Sequence, residues 1–167
     1  QAIAVYEKAA EFFEKFAASS DPPPEKADSA LSDAVLLRLG LGGEENEKKA
    51  IEDAALFRKK FGAAKPAQTA AIAFAVGAHY AEKEEWDKAK ATLSGSMGII
   101  DKAAPDIQAQ AHAMLGRAYA KTKGGDRQSK TEYAKVRSLW PANPADAMGK
   151  LKAAYTGEDE GQLARRM

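Results

Sequence analysis

Cysteine is absent from the 167 residues. That excludes disulfide scaffolds, cysteine zinc sites and thiol catalysis. Histidine occurs only at positions 79 and 112, without the His-x3-His or Glu-x-x-His spacing of a metal site. Valine occurs four times, too rarely for the Val/Ile-rich runs of a parallel sheet. No stretch of about 18 apolar residues exists, so no membrane span is expected. Leu, Ile, Val and Phe together number only 27. Such scarcity signals disorder only with a high net charge. Here 25 basic and 24 acidic residues nearly cancel. The chain opens on Gln1 rather than Met, with no signal peptide in view, which points to an excised fragment.

Alanine fills the gap, with 37 residues. An alanine-rich, charge-rich composition points to an all-α fold whose helices approach closely through small side chains. The near-neutral total hides an asymmetry. Residues 107–155 carry nine basic and three acidic groups, against fourteen and eighteen in residues 1–106.

Helical periodicity runs nearly end to end. Ile3, Val5, Tyr6, Ala9, Ala10, Phe13 and Phe16 mark one face of a first helix, stopped by Pro22, Pro23 and Pro24. A second helix is expected over 25–40, ended by Gly40, Gly42 and Gly43. A third follows over 45–62, and Pro66 opens a fourth over 66–83. The fifth, 86–103, contains Gly95 and Gly98, marking either a soft spot or a close helix crossing. Asp106 is the expected cap of a sixth helix, 106–121, and a seventh spans 127–139. Asn143-Pro144-Ala145-Asp146 starts an eighth, 144–155, and Thr156-Gly157-Glu158-Asp159 a weaker last turn.

One internal registration repeats. Leu115-Gly116-Arg117-Ala118-Tyr119 is an L-G-x-x-Y string, with Tyr133 and Pro141 following. Gly77, Tyr80, Trp86, Ala89 and Leu93 occupy the same slots one step earlier. Arg38, with Leu37, Leu41, Ala50 and Ala54, takes them one step before that. Each step is 39 residues. This pattern resembles the tetratricopeptide repeat (TPR), a helix pair of usual length about 34 residues. The resemblance covers residues 25–141. The last unit matches best, and the first is degenerate, with Arg38 in the glycine slot.

The resemblance implies a single TPR-like α-solenoid of about eight helices in antiparallel pairs, wound as a right-handed superhelix. Its parts would be residues 1–20 as the second helix of a partial unit, units 25–62, 66–104 and 106–141, a capping helix 143–155 and a tail 156–167. It also implies a concave groove lined by the first helix of each pair. The matching positions are Ser32, Val35 and Leu39, then Phe74, Ala78 and Glu82, then Gln110, Ala113, Arg117 and Lys121. That groove would be apolar at one end and cationic at the other. It would suit an extended or helical partner segment with an apolar anchor and an acidic end. The segments Ala50-Ile51-Glu52-Asp53 and Lys83-Glu84-Glu85-Trp86-Asp87-Lys88-Ala89 are similar to TPR segments of bacterial cell-envelope and motility assemblies. That likeness implies a periplasmic or envelope location within a larger assembly.

Other constellations read as structural. Gly40-Leu41-Gly42-Gly43 follows a helix and lacks the Lys-Ser/Thr of a phosphate loop. Glu82, Glu84 and Glu85 fill a turn between helices, and Ser94-Gly95-Ser96 lacks a hydrolase elbow. His79 and His112 read as surface or packing histidines. Tyr80, Trp86, Tyr119, Tyr133 and Trp140 read as core rather than as a stacking platform. The cluster Arg117, Lys121, Lys123, Arg127, Lys130, Lys135 and Arg137 reads as a solvated face or a docking surface for an acidic partner. The expected function is a non-enzymatic protein-interaction scaffold with no cofactor and no metal. A purely structural solenoid spacer is the alternative. Nucleic-acid binding is not expected, because aromatics are not interleaved with the basic charge.

Overall fold

A computed structural model describes residues 2–20 and 23–139. Among these residues there are seven helices and no strand. They are α1 Ala2–Ala17, α2 Ala27–Leu41, α3 Glu44–Phe61, α4 Pro66–Glu82, α5 Trp86–Ile100, α6 Pro105–Lys121 and α7 Asp126–Leu139. The fold is therefore all-α, as the composition demands. The chain divides into two compact units, Gln1–Val76 and Gly77–Met167, with the boundary inside α4. The expected helix 144–155, the tail 156–167, Trp140 and Pro141 lie outside the described residues.

In the first unit α1 packs on α2, and α2 on α3. The contact surfaces are made largely of methyl groups. Ala10, Ala17, Ala34 and Ala50 are fully buried, with Leu31 and Phe57 as the large core side chains. α1 ends at Ala17, ahead of the prolines, where the Ser19 N–H and hydroxyl both turn back onto the Phe16 carbonyl. Chain direction then recovers through Lys26, held at φ 67°, an uncommon backbone for a side-chain-bearing residue. α2 runs one residue past the expected stop. Its end is made by Gly42 and Gly43, both at positive φ, where glycine carries no Cβ penalty. Gly40 is not a terminator. It sits inside α2, exposed, with open space where a Cβ would be.

In the second unit α5 packs on α6 and α6 on α7. Two glycines set how closely helices approach. A Cβ on Gly77 would lie 2.5 Å from Leu93 Cδ2, and one on Gly116 would lie 3.2 Å from Tyr133 Cε2. Leu93 and Tyr133 are both buried. The two glycines stand one 39-residue step apart, so the same small-under-large contact recurs in successive helix pairs. The turn before α7 is tighter still, since a Cβ on Gly125 would lie 2.0 Å from the Tyr119 carbonyl oxygen.

Two helix ends differ from the sequence expectation. Asp106 does not cap α6. The cap is Ala104, extended at φ −60° and ψ 146°, with Pro105 opening the helix. A residue before proline is pushed out of the helical region, which moves the boundary one residue earlier. α5 ends at Ile100 rather than 103, because the Asp101, Lys102 and Ala103 N–H groups close a turn on Met97, Ile99 and Ile100.

Gly95 and Gly98 are exposed, and nothing described lies within 4 Å of where their Cβ atoms would be. They are soft spots, not crossings. Gly98→Ala is expected to stabilise the protein by about 0.5–1 kcal/mol, because a helical glycine costs conformational entropy and here no neighbour needs it. A urea titration monitored by circular dichroism checks this, through a midpoint shift at unchanged slope.

Candidate functional site

The sequence-expected groove residues fall in both units and differ in access. In the first unit Val35 is fully buried, while Leu39 and Phe74 are half-buried. In the second, Ala113 is fully buried, Ala78, Gln110 and Arg117 are half-buried, and Glu82 and Lys121 are exposed. Ser32 is half-buried. Val35 and Ala113 thus sit in helix contacts, closed off from solvent. Arg117 is engaged within its unit, with its guanidinium carbon 5.1 Å from the centroid of the Trp86 ring. That geometry is a cation–π stack, and it fixes both side chains.

The aromatics behave largely as packing groups. Tyr80 and Tyr133 are buried, and Trp86 and Tyr119 are half-buried. Glu82, Glu84 and Glu85 do lie at the α4–α5 turn. Glu84 takes φ 59°, and Glu85 pairs with Lys83 and Lys88. Those two hydrogen bonds hold the Glu85 carboxyl below its ordinary range, with Lys88 the larger cause.

The second unit gathers a group of exposed cations without described partners within residues 121–137. Elsewhere Lys48, Lys49, Lys65, Lys83, Lys88 and Lys90 each pair with a carboxylate, while Lys8, Lys15, Lys26, Lys59, Lys60 and Lys102 have no described ion-pair partner. Lys121 of α6, Lys123 of the following turn, and Arg127, Lys130 and Arg137 of α7 are exposed, with no ion-pair partner among the described residues. Arg127, Lys130 and Arg137 stand three and seven residues apart, which places them on one side of α7. Lys135 is the exception in the cluster, bound to Glu132 at 3.1 Å.

His112 has a definite structural role. Its Nδ1 lies 2.6 Å from Glu132 Oε2 and its Nε2 lies 3.0 Å from Asp101 Oδ1. The ring therefore ties α7 and the end of α5 to the middle of α6. Burial pushes the Glu132 carboxyl up, but hydrogen bonds from His112 and Lys135 outweigh it and leave the group below its ordinary range. Both ring nitrogens are occupied by this bridge. Among the described residues no group of three His, Asp or Glu is arranged to hold a metal ion.

Sequence reasoning missed two features of the first unit. The first is the role of Arg38. Its side chain is almost wholly buried. Nε donates to Glu14 Oε1 at 2.8 Å and Nη1 to Asn46 Oδ1 at 2.8 Å. Asn46 in turn donates to Glu7 and to the Gly42 carbonyl. The cluster links α1, α2 and α3. Burial pushes the Asp53 carboxyl up to about 7, helped by the charge of Glu14 and a hydrogen bond shared with it, and opposed by Arg38. A degenerate glycine slot is what the repeat alignment shows, but the arginine there is a polar hub.

The second is an apolar groove between α1 and α2, of about 580 Å³. Tyr6 and Phe13 line one side, and Leu36, Leu37 and Leu41 the other, with Asp33 and Gly40 between them. Of the large exposed apolar side chains described, Ile3, Val5, Tyr6, Phe12 and Leu36 lie on these two helices, and Ile51 lies on α3. The sequence carried the apolar stripe of α1, but not how much of it α2 leaves uncovered.

No described helix is long and apolar enough to cross a membrane. Comparison with known proteins gives no matching family model, no matching curated relative and no matching solved structure, so any family reading rests on this chain's own residues.

Proposed function

We propose that the protein is a non-enzymatic interaction scaffold of the TPR type, built from stacked helix pairs, that binds an acidic peptide or helix of a partner protein. One observation carries this reading: five exposed basic side chains of α6, α7 and the turn between them lack carboxylate partners among the described residues, gathered in a stretch of 17 residues, 121–137. Unpaired like charges repel one another, so such a surface gains most when a ligand of opposite charge covers it. The recurrent contacts Gly77–Leu93 and Gly116–Tyr133 support the helix-pair repeat. The polar clusters around His112 and Arg38 are occupied in holding helices together, which supports a binding rather than a catalytic role. Membership of a larger bacterial envelope assembly is the setting that the resemblance of residues 83–89 proposes.

The test is titration of the protein with a fluorescent glutamate-rich peptide carrying spaced leucines, beside a single-stranded oligonucleotide of equal charge. The combined variant Lys121→Glu, Arg127→Glu, Arg137→Glu is expected to bind the peptide at least about tenfold more weakly, a loss of about 1.4 kcal/mol. Arg117 is left intact because its stack on Trp86 makes it part of the fold. Unchanged peptide affinity in the variant refutes the surface assignment. An oligonucleotide bound more tightly than the peptide, with a steep salt dependence, turns the reading to nucleic acid.

A further inference from the structure

The groove between α1 and α2 is not accounted for by the packing of the unit that carries it. Gly40 is the clearest sign. It lies inside α2, where a glycine is unfavourable by about 1 kcal/mol relative to alanine. No described atom comes within 4 Å of its missing Cβ, so the fold of the unit does not require it. Yet it lines the groove, at the place where an incoming side chain would need room.

α1 itself offers what would fill that room. Beyond the face buried through Ala10 and Ala17, it carries a second ridge of Val5, Lys8, Phe12, Lys15 and Phe16 at helical spacing. Val5 and Phe12 are each about two-thirds exposed. They stand seven residues apart, or about 10.5 Å along a helix. The groove has the same repeat, with Tyr6 and Phe13 on one wall and Asp33 and Gly40 on the other. Charge also matches. Asp33 is the charged residue lining the groove and has no ion-pair partner among the described residues. Lys8 and Lys15 flank the ridge, exposed and likewise without a described partner.

We propose that the α1–α2 groove is a self-association site, in which the Val5–Phe12 ridge of a second copy enters the groove, with Phe12 over Gly40 and a lysine of the ridge facing Asp33. Ridge and groove share α1, so two copies related by a two-fold axis each place a ridge in the other's groove, and the contact closes as a dimer. This inference uses the first unit alone and does not depend on the cationic surface of the second.

Sedimentation velocity on the full chain across the micromolar range tests it. The wild type is expected to move toward twice 17.8 kDa as concentration rises. Gly40→Leu fills the groove, and Phe12→Glu charges the ridge. Both positions are exposed, so both variants are expected to stay folded by circular dichroism and to associate at least about tenfold more weakly. Gly40→Leu is expected to melt higher than wild type while losing the dimer, an opposite-sign pair that a general folding defect cannot produce. Asp33→Lys is expected to weaken association, and the same chain carrying Lys8→Asp and Lys15→Asp to recover it. A wild type that stays monomeric to several hundred micromolar overturns the proposal. So does a dimer that survives both Gly40→Leu and Phe12→Glu.

Discussion

Replacing Arg38 with alanine is expected to destabilise the first unit by about 3–5 kcal/mol, the range for removing one partner of a buried ion pair. Three effects add. Glu14 loses a hydrogen-bonded cation at 2.8 Å, Asn46 loses its donor, and the volume of a nearly fully buried side chain is vacated. Chemical denaturation of the variant beside wild type measures the difference, and a loss under about 1 kcal/mol would be that of an exposed pair instead. The same cluster sets a pH dependence. Asp53 holds its proton to about pH 7 in the folded protein, against roughly 3.9 for an unfolded aspartate. Between those values the folded state binds a proton that the unfolded state does not. The contribution of Asp53 is therefore fully present below about pH 4 and is lost as the pH rises through about 7. Asp53→Asn supplies a permanent donor to Glu14 and is expected to flatten that part of the profile and to stabilise the protein at pH 8.

The second large effect is expected at Gly77. Alanine normally improves a helix, so Gly77→Ala would be stabilising if sequence propensity decided the matter. Geometry decides against it. The new methyl would lie 2.5 and 2.6 Å from two carbons of Leu93, which is itself fully buried and cannot swing away. Overpacking of this kind costs about 1–3 kcal/mol. Gly116→Ala is the control. There the nearest atom is a Tyr133 ring carbon at 3.2 Å, close enough to crowd and far enough for a small shift to relieve. Thermal melts of both variants should separate them clearly. Equal stability of Gly77→Ala and wild type would remove the close approach on which the repeat reading rests. Adding Leu93→Ala to Gly77→Ala should cost less than the sum of the two single changes, since the smaller side chain removes the clash.

Local chemistry made the helices legible. Pro105 opens α6 and the glycine pair at 42 and 43 ends α2 by backbone constraints that act on neighbouring residues alone. One step of the 39-residue pattern has a structural counterpart, since Gly77 and Gly116 both face a large buried side chain, whereas Arg38 in the same slot makes polar contacts instead. Features that depend on distant partners were not legible. Arg38 meets Glu14 from twenty-four positions away, and nothing local distinguishes a buried arginine from a surface one. His112 was recognisable as a structural histidine, but its carboxylates at 101 and 132 come from other helices. The groove of α1 and α2 was hidden for a different reason. Periodicity shows that a helix has an apolar face, not how much of that face a neighbour covers. Of the basic cluster, the residues were visible, but not that Lys135 pairs with Glu132 while Lys121, Lys123, Arg127, Lys130 and Arg137 have no described ion-pair partner, because pairing is a property of the packed chain.

Nuclear magnetic resonance titration of the isotope-labelled full chain with the glutamate-rich peptide tests the central claim most directly. The account predicts shifts centred on Lys121, Lys123, Arg127, Lys130 and Arg137, with the signals around the buried His112 bridge in place. Saturating peptide that moves none of these signals, or a footprint confined to other residues, would contradict it.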